Sequence, residues 1–377
     1  MDPLRAAPGA DIVLAAVAGE PGVHVVGGAV RDALRGQVPR ELDLVVEGDA
    51  LAVARRAAER CGGTLTVHER FGTATITAAG FSFDLAGARR ERYARPGALP
   101  DVELGATLRE DLARRDFTVN AIAVSVADGA FTEWPGARED LEAGVLRVLH
   151  ERSFLDDPTR MLRLVRYAAR LEFAPDAATE ALIDPAHFET VSGDRLGNEL
   201  RLVLNEPRTA LALLDRYGLG RALLGEGFRA GWLAERAGTG ALALAACCTA
   251  IGGAALAARL DQLGFSRHDR DLVVAAAGGF ERLHGTLDGS DADLWRLLRH
   301  ERVETVQLLA AAGDAGARRW LDHVRHRRLS ISGDDLIAAG LTGRAVGEAL
   351  NRATVALLDG RAPDREAQLR AALPSEP

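Results

Sequence analysis

The chain has 377 residues, 47% of them hydrophobic and 27% charged, and a formal net charge of −8 at pH 7. That length supplies two or three compact domains with a real core, and no apolar run approaches the ~20 residues that a bilayer span needs. The acidic balance weighs against a nucleic-acid partner, because such domains are usually basic. Yet all 46 basic residues are arginine, the side chain that clamps phosphate with two parallel donors, so local arrangement has to decide.

In chain order, Met1-Asp2-Pro3-Leu4-Arg5 has an acid at its start and no signal-peptide layout, which makes the cytoplasm the expected compartment. Residues 11 to 20 read as a helix packing on a sheet. Val23 to Val26 is a β-branched strand, broken by Gly27-Gly28, and Ala29 to Arg35 is a helix that stops at Gly36. Two adjacent glycines let a bound group approach the backbone, and the helix behind them aims free N–H groups and its positive dipole end at the same place. That combination suits phosphate, although Gly-Gly between a strand and a helix also serves as a plain turn.

Glu41-Leu42-Asp43-Leu44-Val45-Val46 reads as the next strand. A period of two puts Glu41 and Asp43 on one face and Leu42, Leu44 and Val46 on the core face. Adjacent carboxylates repel unless a cation lies between them, and hard oxygen ligands suit Mg²⁺; the other reading is a solvated strand edge. A phosphate cradle beside a Mg²⁺ pair is the apparatus of nucleotidyl transfer. Ala50 to Cys61 is an alanine-rich helix, and Thr64 to His68, Thr73 to Thr77 and Phe81 to Leu85 alternate as strands, the first two joined by Glu69-Arg70-Phe71-Gly72. With Phe81, Phe83 and Leu85 on one face, Asp84 points to the other, either as a third metal ligand or as a solvent-facing acid.

Arg89-Arg90-Glu91-Arg92-Tyr93-Ala94-Arg95-Pro96-Gly97 reads as an irregular loop, since Pro96, Gly97 and Pro100 oppose regular structure. A basic loop with an aromatic suits a mobile flap over RNA or nucleotide, and equally a solvated connector. Arg114-Arg115-Asp116-Phe117-Thr118-Val119-Asn120 brings two arginines, an acid, a hydroxyl and an amide to the start of an apolar strand, Val119 to Val126. These are donors able to grip a triphosphate and a ribose, or the makings of a helix cap. In the helix opened by Asp157-Pro158, Arg160, Arg163, Arg166 and Arg170 share about a third of the circumference, opposite Met161, Leu164, Val165, Ala168 and Leu171. Charged helix faces usually mix signs, so four arginines without an acid favour an anionic partner over plain solvation.

From about residue 200 the chain reads as almost wholly helical, rich in Ala and Leu. His268-Asp269 has no upstream histidines to complete a metal-dependent phosphohydrolase site. Cys61, Cys247 and Cys248 are too few and badly spaced for zinc or disulfides, and read as small core residues. Arg318-Arg319-Trp320 and Arg325-His326-Arg327-Arg328 form a basic patch that fits a solvated face or an RNA contact.

Together, Val26-Gly27-Gly28-Ala29-Val30-Arg31-Asp32, Glu41-Leu42-Asp43 with Val45-Val46-Glu47-Gly48-Asp49, Asp84 through Arg89-Arg90-Glu91-Arg92-Tyr93 to Pro96-Gly97, Arg114 to Ala121, Asp156-Asp157-Pro158-Thr159-Arg160 and Ser192-Gly193-Asp194-Arg195 resemble the class II tRNA nucleotidyltransferase and bacterial poly(A) polymerase family. The likeness is strong over residues 20 to 210 and returns weakly near residues 331–336 and 358–361. It implies an α+β nucleotidyltransferase head with a small mixed sheet (1–145), an all-α neck that selects the nucleotide (146–210), and a helical body and tail that bind tRNA (211–377). It implies Gly27, Gly28 and Arg31 on the triphosphate, Glu41 and Asp43 on Mg²⁺, and Arg115, Asp116 and Asn120 on the sugar-phosphate. Asp157 and Arg160, with Asp156, would meet the edge of the incoming base, and Arg163 on the same helix joins the nucleotide-binding set.

The activity implied is addition of C-C-A to the tRNA 3′ end from CTP and ATP. Addition of A alone, of C-C alone, or of poly(A) are variants of the same head, and the contrasting reading is a catalytically silent RNA-binding protein. Three departures stand out. Glu41 replaces the family's usual aspartate, Asp156 its usual glutamate, and Glu133-Trp134-Pro135-Gly136 a more glycine-rich turn.

Overall fold

In the computed structural model, which describes residues 2–68 and 72–373, two short helices, α1 (Asp2–Arg5) and α2 (Ala10–Ala16), lead into strand β1 (Val23–Val26). Gly27 turns the chain into α3 (Gly28–Leu34), and β2 (Leu44–Val46) returns antiparallel to β1 with Val23 opposite Val46 and Val25 opposite Leu44. Helix α4 (Ala50–Cys61) starts at the Asp49 side chain, which accepts from the Ala52 N–H. Strands β3 (Thr64–His68), β4 (Thr73–Ala78) and β5 (Phe81–Gly87) follow as an antiparallel meander. The connection read at residues 69–71 lies outside the described residues.

Next come β6 (Arg89–Arg92), β7 (Asp101–Leu104), α5 (Leu108–Ala113), β8 (Ile122–Ser125), β9 (Phe131–Glu133) and α6 (Ala137–Ala143). Seven strands form one sheet in the order β3-β4-β5-β2-β1-β8-β9. It is mixed because β2 and β5 run parallel while the other neighbours run antiparallel. Its interior is apolar, with Val25, Leu44, Ile76, Leu85 and Ile122 almost completely buried. The chain continues through β10 (Val145–Leu146), α7 (Ser153–Asp156), α8 (Thr159–Leu171), β11 (Ala174–Pro175), α9 (Ala177–Ala181) and α10 (Gly193–Val203).

Two compact units result, Met1–Glu199 and Leu200–Pro377. In the second, helices from Thr209–Arg216 to Arg365–Ala372 pack around two apolar centres, one containing Trp320 and Leu294, the other Leu336 and Ala353. Trp320 is a core residue with the Arg325 guanidinium over its ring, so that part of the basic patch is packing. Cys247 and Cys248 are buried free thiols and Cys61 is half-buried. Asp269 is used in capping, its N–H bonded to the Ser266 hydroxyl. No described helix is long and apolar enough to cross a membrane.

Three local readings need correction. The strand read over residues 41–46 is regular only at β2, although the Val26 N–H of β1 still donates to the Asp43 carbonyl. The loop read at 89–97 is instead a two-stranded hairpin, β6 against β7, whose Pro and Gly residues are confined to the tip. Thr118–Asn120 is a 3₁₀ turn before β8, not strand. At the start of α8 the reading stands: Pro158 has helical angles (φ −60°, ψ −20°) and follows Asp157, whose side chain accepts from the Thr159 N–H.

Candidate active site

The turn after β1 is held from both sides. The Val26 N–H donates to the Asp43 carbonyl (3.0 Å) and the Gly27 N–H to the Ile122 carbonyl (2.9 Å). Gly27 has φ +69° and ψ −132°, a conformation nearly closed to residues with a Cβ. A Cβ there would also stand 2.8 Å from Nη1 of Arg115. The group that approaches Gly27 is therefore the protein's own arginine. At Gly28 a Cβ would meet nothing closer than the Arg31 guanidinium at 3.5 Å, so that side of the turn stays open to a visitor.

The turn opens into a cleft of about 570 Å³ lined by Gly27, Gly28, Glu41, Asp43, Asn120 and Asp157 together with nine arginines, among them Arg31, Arg114, Arg115, Arg160 and Arg163. Glu41 and Asp43 are both exposed, with Leu42 and Leu44 buried between and behind them, as the two-residue period requires. Among the described residues neither carboxylate has a hydrogen bond or salt bridge, although arginines line the same cleft. Desolvation by the cleft wall raises the Asp43 pKa; the charges of Glu41 and Asp84 push the same way, and Arg115 opposes them.

Asp84, on β5, accepts from the Thr75 hydroxyl (2.6 Å) and lines a second cavity of about 370 Å³ that Asp43, Arg114 and Arg115 also line. Asp43 thus faces both spaces, Glu41 the first and Asp84 the second. Among the described residues no three acids, histidines or cysteines converge as a closed metal cage. Hard, uncommitted oxygen donors that repel one another nevertheless fit a divalent cation accompanied by phosphate oxygens.

Behind the cleft runs a buried polar chain. Arg31 donates from Nη1 to Oδ1 of Asn120 (2.7 Å) and from Nε to Asp32 (2.8 Å). The Asn120 amide donates to Asp116 (3.0 Å), and Asp116 takes Nε of Arg163 at 2.8 Å on its other oxygen. Arg163 and Arg166 then share Glu199 at 3.3 and 3.0 Å. Burial raises the Asp116 pKa, but Arg163 and the Asn120 bond outweigh it and bring the carboxyl down to about 2. Both Asp116 oxygens are occupied by the protein, so this residue builds the floor of the cleft.

Tyr167 lies within 5.1–5.5 Å of the guanidiniums of Arg31, Arg163 and Arg166, and its hydroxyl accepts from Arg163 at 3.0 Å. The arginine face of α8 therefore lines the cleft, with Arg160 and Arg166 buried, Arg163 half-buried and Arg170 exposed at its far end. Nε of Arg115 and of Arg166 are buried without a partner among the described residues.

At the start of α8, Oδ1 of Asp157 accepts from the Thr159 N–H (3.1 Å), the Thr159 hydroxyl (2.7 Å) and Nη2 of Arg195 (2.8 Å). Oδ2 has no partner among the described residues. Arg160 donates to the Ser153 hydroxyl and to the Arg114 carbonyl, both at 2.7 Å. Asp156 is not a lining residue: it ends α7, one position before the chain turns into the cleft, and accepts from Arg152 (3.0 Å). The hairpin contributes Glu91 and Tyr93 to the lining. Burial, reinforced by Glu91 and Asp157 and opposed by Arg160, pushes the Tyr93 hydroxyl up to about 12.

Sequence reasoning missed Glu91, Tyr167 and Glu199. Tyr167 was detectable, being four residues beyond Arg163 and so on the same helix face. Glu199 carries no local signal, since its partners lie a helix away in the fold.

Residues 23–147 match the poly A polymerase head domain. The multifunctional CCA protein of Chromobacterium violaceum is 35% identical over 305 residues, which cover 74% of this chain and 70% of that protein. The A-adding tRNA nucleotidyltransferase of Geobacter sulfurreducens is 32% identical over 93% of this chain, but that match covers only 45% of the relative. The chain spans about half or less of the length of the A-adding relatives it matches. Among solved structures, the Thermotoga maritima CCA-adding enzyme complexed with tRNA superposes with a TM-score of 0.78 at 25% identity, covering 96% of this chain and 93% of that one. A matching head, a relative aligned over most of both lengths and a shared fold agree with the cleft just described: the chain belongs to the tRNA nucleotidyltransferase and poly(A) polymerase family.

Proposed function

We propose that this chain adds C-C-A to the 3′ end of tRNA from CTP and ATP, without a nucleic-acid template. The observation that carries the reading is the pair Glu41 and Asp43, which among the described residues make no hydrogen bond or salt bridge in an arginine-lined cleft. Such a pair is an ion site in waiting, and a cleft so basic around it suits a polyphosphate. Glu41 and Asp43, with Asp84 as third candidate, would hold Mg²⁺, which when bound lowers the pKa of an attacking hydroxyl and steadies a leaving pyrophosphate.

The protein's own groups do the rest. Arg31 and Arg115 flank the Gly27-Gly28 turn and supply donors to the triphosphate, oriented by Asn120 and Asp111 respectively. Arg163, fixed by Asp116, backs the sugar-phosphate side of the cleft. Asp157 offers its free Oδ2 to the exocyclic amine that cytosine and adenine both carry, beside the Arg160 guanidinium. The acceptor's 3′-hydroxyl oxygen bonds to the α-phosphorus, the bond from that phosphorus to the bridging oxygen breaks, and pyrophosphate departs.

A second reading, addition of A alone, is favoured by the A-adding Geobacter relative, which aligns over 93% of this chain. Purified protein given Mg²⁺, CTP and ATP with tRNA that lacks its terminus separates the two. Extension by C-C-A is the expected result. Extension by A only on tRNA already ending in C-C establishes the second reading, and no extension of either substrate refutes both.

A further inference from the structure

We infer that Arg40 is a substrate-binding residue: its guanidinium takes the terminal phosphate of the incoming nucleotide and accompanies pyrophosphate as it leaves. The inference rests on the nucleotidyl-transfer reading above and adds to it a contact for the far end of the polyphosphate.

The nine arginines of the cleft are not equivalent. Eight of them are already engaged by the protein. Arg31 is held by Asp32 and Asn120, Arg115 by Asp111, and Arg163 by Asp116. Even Arg35, at the end of α3, reaches the Leu171 carbonyl at 3.4 Å and lies 5.1 Å from the centre of the Phe173 ring. Arg40 alone has no hydrogen bond, ion pair or ring contact among the described residues, and it stands exposed on the connector between α3 and β2. Its neighbour Glu41 lines the same cleft and forms no salt bridge with it. The fold makes no use of this cation, so its charge is available to a ligand.

Position selects which ligand. Asp43 faces two cavities, and Arg40 lines the one that holds the glycine turn and Asp157, not the one that holds Asp84. It therefore stands on the nucleotide side of the acids. Arg40 is three residues from Asp43, whose carbonyl is bonded to the Val26 N–H beside that turn; at most about 11 Å of extended chain separates the two. A nucleotide with its base edge at Asp157 and its α-phosphate at the acids has its outer phosphates left to place, and the terminal one carries the most charge. A guanidinium meets a phosphate with two parallel donors. Arg40 has no protein partner to give up, so it can follow a departing pyrophosphate, whereas Arg31 and Arg115 stay with Asn120 and Asp111.

The test shortens the ligand one phosphate at a time. Titration calorimetry measures Kd for ATP, ADP and AMP, each with Mg²⁺ and without RNA, on wild type, Arg40→Gln and Arg40→Lys. The inference expects Arg40→Gln to raise the Kd of ATP at least about threefold more than that of AMP, the size of an exposed ion pair, with ADP and Arg40→Lys intermediate. CTP should follow ATP, since the phosphates are the same, and pyrophosphate should inhibit transfer more weakly in the variant. A smaller difference between ATP and AMP overturns the inference, and so does a raised KM for tRNA with nucleotide binding unchanged, which would put Arg40 on the acceptor. A wild type that binds ATP but extends no tRNA fails the proposed function, while the same Kd values still decide the contact; a wild type that binds no nucleotide refutes both.

Discussion

Replacing each glycine of the Gly27-Gly28 turn by alanine asks two different questions of adjacent residues. Gly27 occupies a backbone region that other residues enter at a cost of about 1–3 kcal/mol. The added methyl would also press on Nη1 of the buried Arg115 at 2.8 Å. For a unit the size of Met1–Glu199, each kcal/mol moves the midpoint by about 2–4 °C, so Gly27→Ala should lower Tm by roughly 2–12 °C. Gly28 has ordinary backbone angles and an ordinary 3.5 Å neighbour, so Gly28→Ala should change stability by no more than about 0.5 kcal/mol. Its methyl, however, occupies the open side of the turn where a phosphate would lie, and AMP transfer should fall with a raised nucleotide KM. Thermal unfolding by calorimetry together with steady-state transfer reads both effects. Equal stability of the two variants, or greater damage from Gly28→Ala, would refute the reasoning about which glycine the fold needs and which the ligand needs.

The acidic pair gives a second prediction, of opposite sign for stability and activity. The Asp43 pKa is raised in the fold, so the stability linked to its proton is complete below the unfolded pKa and is lost as pH rises through the folded one. In the absence of divalent ions Asp43→Asn should therefore unfold at a higher temperature than wild type near neutral pH, while losing transfer by at least about 10²-fold; a lower Tm would contradict it. Chelation should likewise stop transfer by the wild type, and Mg²⁺ should restore it. Asp116 behaves in the reverse way: with its carboxyl at about 2, its contribution is present above the unfolded value and is lost as pH falls through about 2. Asp116→Ala leaves Arg163 without its closest partner and should cost about 3–5 kcal/mol in urea unfolding at pH 7, with a loss below 1 kcal/mol showing that Glu199 alone suffices.

Much of the cleft was legible because its parts are local. A β-branched run, a glycine pair and a short helix announce themselves within a dozen residues, and the arginine side of α8 follows from a 3.6-residue period over one helix. What was not legible depends on pairing across the chain. Nothing near Leu44 indicates that β2 lies parallel to β5, or near Ile122 that β8 lies beside β1. Asp156 and Asp157 look equivalent as letters, yet one turn of backbone gives the first to Arg152 and the second to the cleft. The hairpin is hidden in the sequence because its prolines and glycine imply an irregular stretch throughout, whereas they govern only the tip.

Residues 35–43, which bear both acids, belong to no helix or strand, and the bond from the Val26 N–H to the Asp43 carbonyl is their last backbone tie before β2. The two carboxylates are thus carried on a connector and not on the sheet itself. Lengthening or shortening that connector by one residue would relocate the acids and leave the match of Val23 to Val46 intact. Because position 41 is exposed and lies outside the strands, a glutamate there in place of the shorter aspartate calls for no repacking of the sheet beneath.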